Sequence, residues 1–321
     1  MLLFSLTFLL VRGGPPRYTA FHNGDVLLDT DGNVVMAHQP HIYGPLNGTF
    51  YLYGAEQVGA SRGKAGVIRV YTSTDVYNWQ YQGVAFDCSC SHASRASVLG
   101  FNNASGRWVM WMKGNATNAT LLVATATSPL GPFASVGGYS PSANTTAGDS
   151  HAFLDPTTAA AYIVYSQQIH TAIMMVPLNA AWTAPKGEPH VAVVGHLEAP
   201  LPFYAPAAAA AYRFLIWCSH TTGWAPNPAE LLAGTSMAAG GGWRGVGNPS
   251  GSKNTYGSQG SHVLPLAVVN GTQRFLYMAD RYEPFISGPE GSRYIFLPLE
   301  VRSDGKASLI WRQSWQLNMW P

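Results

Sequence analysis

A repeated pattern in the sequence predicts the fold, and its first copy reads Thr49-Phe-Tyr-Leu-Tyr-Gly54, then Val67-Ile-Arg-Val-Tyr71 and the turn Thr72-Ser-Thr-Asp-Val-Tyr-Asn-Trp79. Two apolar runs of strand length are followed by a turn of small residues that ends in an aromatic residue. The pattern occurs five times, at spacings of about 50 to 60 residues, which is the range of a repeated all-β unit. The first runs of the later copies lie at residues 108–112, 161–165, 212–217 and 274–278.

A chain with this period is predicted to be all-β and to form a five-bladed β-propeller, with one blade from each copy. Gly (34 residues) and Pro (22 residues) are abundant, as a fold with many turns requires. The apolar fraction of 47% is ample for a core. Because the copies fill most of the chain, residues 15–321 are predicted to form a single propeller domain after an apolar leader over residues 1–14.

The charge of the chain argues against nucleic acid as a partner. Charged residues make up 11% of the chain, compared with about 25% in an average soluble protein, and the formal net charge is +2. No run of Lys or Arg is present. Nucleic-acid binding requires a basic patch, so we expect none.

The N-terminal residues 1–11 form an apolar run that ends before Arg-Gly-Gly. About 11 residues are too few to span a bilayer. The run is typical of the apolar core of a signal peptide or uncleaved anchor, although no basic residue precedes it; a buried strand or a misassigned start is the alternative. Six sequons favour a secreted glycoprotein, and they lie at Asn47, Asn103, Asn115, Asn118, Asn144 and Asn270. We expect this protein to be a monomer with no stable membrane span.

The cysteines do not form an obvious disulfide framework. Cys88 and Cys90 are separated by one residue, which is a poor spacing for a disulfide with each other. One of them could pair with Cys218 and leave the other as a free thiol. A metal site is less favoured, because the chain has neither a Cys-X-X-Cys pair nor a matching His spacing.

The carboxylates, 16 in all, are few enough to be weighed one at a time. Several, including Asp29, Asp75 and Asp155, lie beside small residues and are expected to be solvated turn formers. Glu198 differs, because it lies between apolar neighbours that raise the pKa of a carboxyl group and keep it protonated near neutral pH. The other unusual acids are Asp149, Glu56 and Asp280, for which a buried carboxylate bound to backbone amides or to an Arg is the alternative.

Glu198 and Asp149 each open a copy of the repeat. Since the first strand of each propeller blade lines the central channel, both are expected to face one axial funnel, as is Gln259, which opens the fifth copy. Paired acids across a sugar-sized cleft catalyse glycoside hydrolysis. Trp224, on a loop without a strand pattern, is a candidate platform for a sugar, with a hydrophobic plug beneath the loop as the alternative.

From about Phe21 to the C-terminus, the chain resembles glycoside hydrolase family 43, a family of five-bladed propellers, and specifically its exo-β-1,3-galactanase branch. The turn and strand motifs are general to the family, whereas the Thr-Gly-Trp-Ala-Pro-Asn and Gly-Ser-Gln motifs are more specific to this branch. The motifs that carry the resemblance are Asp29-Thr-Asp-Gly-Asn-Val-Val-Met-Ala-His38, Gly48-Thr-Phe-Tyr-Leu-Tyr-Gly54, Tyr71-Thr-Ser-Thr-Asp-Val-Tyr-Asn-Trp79, Leu197-Glu-Ala-Pro200, Thr222-Gly-Trp-Ala-Pro-Asn227, Tyr256-Gly-Ser-Gln259 and Tyr277-Met-Ala-Asp-Arg281.

The resemblance implies an inverting hydrolase that removes galactose from the non-reducing end of β-1,3-galactan, the backbone of arabinogalactan. Glu198 matches the family's general acid, and Asp149 matches the carboxylate that tunes the pKa of this acid and orients it. Gln259 matches the place of the base; a neutral amide is a weak base, so Gln259 acts as an imidic-acid tautomer or only positions the attacking water. The expected substrate contacts are Glu56, His38, Thr222, Gly223, Trp224 and Ser94.

One position departs from the family pattern. Ser94 stands where the galactanase branch usually has a Glu that contacts sugar hydroxyls, which puts substrate preference and activity in question. A non-catalytic galactan-binding propeller is therefore the alternative function, and arabinan or xylan are the alternative substrates. No cofactor is expected. Some members of the family hold a metal ion near a central His, for which His38, His151 and His262 are candidates by position, but a buried His is more often simply hydrogen-bonded and we expect no metal.

Overall fold

The computed structural model describes residues 17–56, 66–88, 93–116, 119–141, 147–167, 170–206, 208, 212–223, 225–269, 272–281, 293–303 and 305–317. These residues form five four-stranded sheets and one two-stranded sheet, with antiparallel pairing between neighbouring strands. Each four-stranded sheet uses four consecutive strands, which is the arrangement of a propeller blade. The predicted five-bladed β-propeller is therefore confirmed.

The strands have the following bounds. Blade 1 contains β2 (His38–Leu46), β3 (Thr49–Ala55), β4 (Val67–Ser73) and β5 (Gln80–Asp87). Blade 2 contains β6 (Ala93–Asn102), β7 (Arg107–Ala116), β8 (Ala119–Ala126) and β9 (Ala134–Tyr139). Blade 3 contains β10 (Ala147–Leu154), β11 (Ala161–Gln167), β12 (Ala172–Pro177) and β13 (His190–Val194). Blade 4 contains β14 (Leu197–Tyr204), β15 (Phe214–His220), β16 (Ala229–Gly234) and β17 (Arg244–Gly247). Blade 5 contains β18 (Gln259–Val269), β19 (Thr272–Asp280), β20 (Tyr294–Val301) and β21 (Ala307–Leu309).

Outside the blades, β1 (Phe21–His22) pairs with β22 (Ser314–Trp315), and this pair joins the two ends of the described chain. The ring of Phe21 stacks on Phe296 of β20 at 4.5 Å and lies 5.9 Å from Trp315. A short 3-10 turn, Thr255–Gly257, precedes β18. Among the described residues, no helix is long and apolar enough to cross a membrane.

The first strands of the blades surround the axis. β2, β6, β10, β14 and β18 each contact the first strand of the next blade, and β18 contacts β2 to close the ring. These strands carry few charges and are mostly buried, because one face meets the axis and the neighbouring strands cover the rest. Any side chain at the beginning of one first strand is consequently close to its counterparts in the neighbouring blades.

Successive residues of a middle strand pack into different inter-blade cores. In β15, Leu215 and Trp217 pack towards blade 5, whereas Ile216 and Cys218 pack towards blade 3. This division follows from the alternation of side chains along a strand. It explains why the middle strands are apolar at nearly every position, as the sequence runs quoted above are.

Two sequence expectations about polar residues need correction. Asp29 and Asp155 form turns as predicted, but each is 3% exposed instead of solvated, because its carboxylate accepts hydrogen bonds within its own turn. Cys218 is a buried free thiol and Cys88 is disulfide-bonded, so the suggested bridge to Cys218 is wrong. The leader at residues 1–14 lies outside the described residues.

Candidate active site

The three sequence-predicted catalytic residues lie together at the beginnings of adjacent first strands. Asp149 is in β10, Glu198 in β14 and Gln259 in β18, so they belong to blades 3, 4 and 5. The pairing register of these strands is irregular close to each residue: between Ala147 and Ser150, between Glu198 and Leu201, and between Gly260 and His262. β-Bulges next to active sites commonly redirect a side chain, and here they lie beside the polar groups of the funnel.

Three non-glycine residues with left-handed backbones mark the same level of the propeller. Gln39, Arg95 and Ala199 have φ values of 53°, 50° and 50°, and each lies within an irregular stretch of a first strand. Such backbones cost free energy and persist only where the surroundings enforce them. The same left-handed backbone conformation occurs in the first strands of blades 1, 2 and 4, so one local distortion is repeated around the funnel.

Glu198 has the environment of a general acid. It is 8% exposed, and its Oε1 accepts a hydrogen bond from Gln259 Nε2 at 2.9 Å. Its Oε2 lies 3.5 Å from His170 Nε2. Burial, and after it the negative charge of Asp149, raise the pKa of Glu198, whereas Arg95 lowers it, and the net result is a pKa of about 7. A carboxyl group with this pKa retains its proton near neutral pH and can donate it to a leaving group.

Asp149 is the ionised partner of this acid. Its Oδ2 lies 2.9 Å from Arg95 Nη2, and its Oδ1 accepts a hydrogen bond from Lys113 Nζ at 3.0 Å. Burial disfavours the charged form, but Arg95 and Lys113 together hold the pKa of Asp149 well below its usual range. Asp149 is therefore negatively charged throughout the pH range in which Glu198 titrates. Two carboxyl groups with pKa values driven apart by their surroundings are the usual arrangement of a glycoside-hydrolase site.

Gln259 connects the carboxyl group of Glu198 to the guanidinium of Arg95. Its Nε2 donates to Glu198 Oε1 at 2.9 Å and to Ser219 Oγ at 3.1 Å, while its Oε1 accepts from Arg95 Nη2 at 3.2 Å. All of the hydrogen-bonding groups of the side-chain amide are engaged in this arrangement except one lone pair of Oε1. The amide therefore fixes Glu198 relative to Arg95.

Sequence reasoning did not single out several residues that contact this group. Arg95 is 4% exposed and contacts both Asp149 and Gln259, and its neighbour in the chain, Ser94, was named only as a departure from the family pattern. Lys113 is the cross-strand partner of Ser94, so Lys113 could have been identified from Ser94 once the strand register was known. The remaining contacts, His170, Ser219 and Gln39, have no local sequence signal.

Of the predicted substrate contacts, Glu56 and His38 belong to blade 1, Ser94 belongs to blade 2, and Thr222 and Gly223 belong to blade 4. Glu56 forms an ion pair with Arg69, at 3.0 Å. His38 lies 3.9 Å from Asp280, whose other oxygen accepts from the backbone N–H of Gln39 at 2.7 Å. Ser94 is buried, and Thr222 and Gly223 are exposed on the loop after β15. Trp224, the predicted sugar platform, lies outside the described residues.

A cluster of three imidazoles lies on the propeller axis, one each from blades 1, 3 and 5. His41, His151 and His262 each offer a ring nitrogen within 4.8 Å of the others. His262 Nδ1 is 3.0 Å from His151 Nε2, and His41 Nδ1 is buried without a hydrogen-bond partner. Of the sequence candidates, His151 and His262 belong to the cluster, but His38 does not and His41 takes its place.

The donor set of this cluster is compatible with a metal ion. Burial lowers the pKa of His41 to about 3 and lowers the pKa values of His151 and His262 well below 6.5, so all three rings are neutral, as ligands must be. Three imidazole nitrogens suit zinc or another first-row transition ion better than calcium, which prefers oxygen. Without any ion, two of these rings belong to a hydrogen-bonded chain, in which Ser97 Oγ lies 3.2 Å from His151 Nδ1 and His262 Nδ1 lies 3.0 Å from His151 Nε2.

A buried protonated acid beside an ionised carboxylate, at the mouth of a five-bladed propeller, defines the chain as a glycoside hydrolase. The family model of glycosyl hydrolases family 43 matches residues 33–225, which span blades 1 to 3 and part of blade 4. This match covers more than half of the chain, and the protein belongs to that family.

Solved structures agree with this assignment. A β-1,3-galactosidase of the same family, solved with galactodeoxynojirimycin, is 26% identical; the alignment covers 92% of this chain and 100% of that chain, with a TM-score of 0.78. The exo-β-1,3-galactanase Pc1,3Gal43A from Phanerochaete chrysosporium, solved with galactose, is 28% identical over 93% of this chain and 68% of that chain, with a TM-score of 0.81. No curated protein matches the chain.

Proposed function

We propose that the protein is an exo-acting, inverting hydrolase that releases galactose from the non-reducing end of β-1,3-galactan. The observation that carries this proposal is Glu198, a buried acid with a pKa near neutrality, bound to Gln259 and adjacent to the ionised Asp149. The substrate class is supported by the similar structures, which include a β-1,3-galactosidase and an exo-β-1,3-galactanase solved with β-1,3-galactotriose.

In the proposed mechanism, Glu198 gives its proton to the glycosidic oxygen as the bond to the anomeric carbon breaks, while water attacks this carbon from the opposite face. The attacking water releases its proton to solvent, and the Glu198 carboxylate takes up a proton from solvent before the next turnover. Asp149 keeps Glu198 protonated through its negative charge. Arg95 and Lys113 keep Asp149 ionised so that it cannot take up the proton itself. Gln259 orients the acid and, after the sugar has entered, positions the water.

The test is galactose release from β-1,3-galactobiose and β-1,3-galactan by the wild type and Glu198→Gln. Loss of the general acid is expected to lower turnover about 10²- to 10⁴-fold and to leave binding intact. Glu188→Gln, at an exposed Glu outside the site motifs, is the matched control and should retain wild-type activity. Release of α-galactose as the first product, followed by NMR, is expected for inversion.

The same assay separates the alternatives. Binding of galactan without galactose release by the wild type would support a non-catalytic galactan-binding propeller, which the neutral side chain at Ser94 favours. Faster release from arabinan or xylan would change the substrate class within the family. Normal turnover by Glu198→Gln contradicts the assignment of the acid.

We propose further that the protein acts outside the cell as a monomeric glycoprotein. Asn47 and Asn103 support this, because both are exposed acceptor residues at the turns β2–β3 and β6–β7, at the ends of β2 and β6 away from the catalytic residues. Expression in a eukaryotic secretory host should give a chain whose mass falls after endoglycosidase treatment. Light scattering should give the mass of one chain.

A further inference from the structure

His170 contacts the candidate acid from a direction that no other described side chain uses. It lies on the connection between β11 and β12, and its Nε2 is 3.5 Å from Glu198 Oε2. The other oxygen of Glu198, Oε1, accepts a hydrogen bond from Gln259. The two carboxyl oxygens therefore face different groups, an amide N–H on one side and an imidazole nitrogen on the other.

This asymmetry determines which oxygen carries the proton. An oxygen that accepts an N–H at 2.9 Å has the role of the carbonyl oxygen, so the proton of the neutral acid belongs on Oε2. Oε2 is the oxygen that faces His170. A neutral imidazole has one nitrogen that accepts a hydrogen bond, and burial lowers the pKa of His170, which favours the neutral ring.

We propose that His170 is a positioning residue for Glu198: its Nε2 accepts the Oε2–H of the acid and holds this proton in place until a glycosidic oxygen replaces the imidazole. The inference rests on the proposed function of Glu198 as the general acid. Hydrogen bonds of catalytic groups are often long without substrate, and 3.5 Å is within the range that a small side-chain rotation closes.

The backbone holds the ring in this position. His170 has φ of 51°, a left-handed conformation, and its N–H donates to the carbonyl oxygen of Gln167 at 2.7 Å. Thr171 Oγ1 donates to Gln167 Oε1 at 2.7 Å, and the carbonyl of Thr171 accepts from Gly195 N at 2.9 Å. Gly148 lies beside the ring, since a Cβ at that position would be in ordinary van der Waals contact with His170 Cε1, at 3.5 Å. A left-handed residue fixed on both sides directs its side chain into the funnel.

The charges around the pair define the pH range in which it works. Asp149 on β10 raises the pKa of His170, whereas Lys113 on β7 and His196 before β14 lower it. Arg95 on β6 and Lys113 lower the pKa of Glu198, and Asp149 raises it. While His170 is neutral, it stabilises protonated Glu198; once His170 is protonated, it donates instead and stabilises the carboxylate. The contact therefore supports the acid only above the pKa of His170.

The experiment compares the pKa of Glu198 in the wild type, His170→Asn and His170→Gln. Asn tolerates the left-handed backbone but is too short to reach Glu198 and does not titrate. Gln is long enough to offer an amide oxygen to Oε2–H. His22→Asn is the matched control, because His22 is an exposed imidazole on β1, outside the blades. Circular dichroism verifies folding of each variant.

Two readouts are measured. The first is the alkaline limb of kcat/KM on β-1,3-galactobiose. The second is the ¹³C NMR titration of the glutamate carboxyl resonance that is missing from Glu198→Gln, which requires no turnover. Loss of the hydrogen bond to the protonated form is expected to lower both pKa values by about 0.5 to 1 unit in His170→Asn. His170→Gln should recover part of the shift, and His22→Asn should resemble the wild type.

The outcomes separate this inference from the proposed function. An unchanged NMR pKa of Glu198 in both His170 variants overturns the positioning role, whether or not the enzyme is active. A shifted NMR pKa in a wild-type background that releases no galactose supports the contact and removes the proposed function. A fall in kcat at every pH without any pKa shift would show a merely structural role for His170, and this result also overturns the inference.

Discussion

Replacement of Asp149 by Asn tests the electrostatic design of the site most directly. The substitution keeps the shape of the side chain and removes a negative charge that is buried between Arg95 and Lys113. These two cations then remain near Glu198, where both lower its pKa, and the charge that opposed them is gone. The pKa of Glu198 must therefore fall, and the acid loses its proton at a lower pH.

The size of this effect follows from the pKa of Glu198. Its total displacement is from 4.5 to about 7, and burial, the largest cause, persists in the variant. Removal of the Asp149 contribution is expected to lower the pKa by about 1 to 2 units. At pH 7 the protonated fraction then falls from about one half to between about 9% and 1%, and kcat/KM falls about 5- to 50-fold.

The assay is the pH dependence of kcat/KM between pH 4 and 9. The alkaline limb of Asp149→Asn should lie about 1 to 2 units below that of the wild type, so activity recovers towards acidic pH. Removal of one partner from a buried ion pair also costs up to about 3 to 5 kcal/mol of stability, so the assay temperature must lie below the Tm of the variant. A folded variant with an unshifted alkaline limb would refute the argument that Asp149 sets the pKa of Glu198.

Two further predictions follow from groups outside the catalytic centre. The pKa values of His41, His151 and His262 are lower in the folded protein than the unfolded value of 6.5, so the unfolded chain binds protons first as the pH falls. The free energy of unfolding should therefore be highest above pH 6.5 and fall below it by about 1.4 kcal/mol per pH unit and per His. The measurement is the Tm as a function of pH, which should fall less steeply in His41→Gln. Glu56→Gln removes an ion pair with Arg69 that is about one quarter exposed, so stability should change by less than about 1 kcal/mol. If Glu56 contacts the sugar as proposed, KM on β-1,3-galactobiose should rise with kcat unchanged, and the opposite pattern would contradict that role.

The repeat pattern predicted the part of the site that depends on strand order. Asp149, Glu198 and Gln259 each stand at the beginning of a first strand, and the first strands of a propeller meet at one axis. Their meeting is therefore a consequence of the blade count and the position of each residue in its copy. The raised pKa of Glu198 was also predictable, because its neighbours in the chain are apolar.

Contacts between blades were not predictable in the same way. Lys113 belongs to the middle strand of blade 2 and reaches Asp149 in blade 3 with a long, partly exposed side chain. No local sequence pattern predicts how far a lysine side chain extends or which neighbouring residue it contacts. The exchange of His38 for His41 has another cause. The pairing register shifts between these two residues, and Gln39 between them is left-handed, so counting alternate residues along β2 points to the wrong imidazole.

Gln259 shows why a neutral amide can occupy the place of a base. Inverting hydrolases hold their acid and base carboxyl groups about 6.5 to 9.5 Å apart to admit a water, whereas Gln259 Nε2 is 2.9 Å from Glu198 Oε1. Its Oε1 accepts from the Arg95 guanidinium, and a cation at this oxygen disfavours the tautomer that carries a proton there. In the resting site the amide therefore acts on the acid, since it assigns the proton to Oε2. Under the proposed inverting mechanism, the sugar would have to separate Gln259 from Glu198 to admit the water, so we expect substrate binding to break this hydrogen bond.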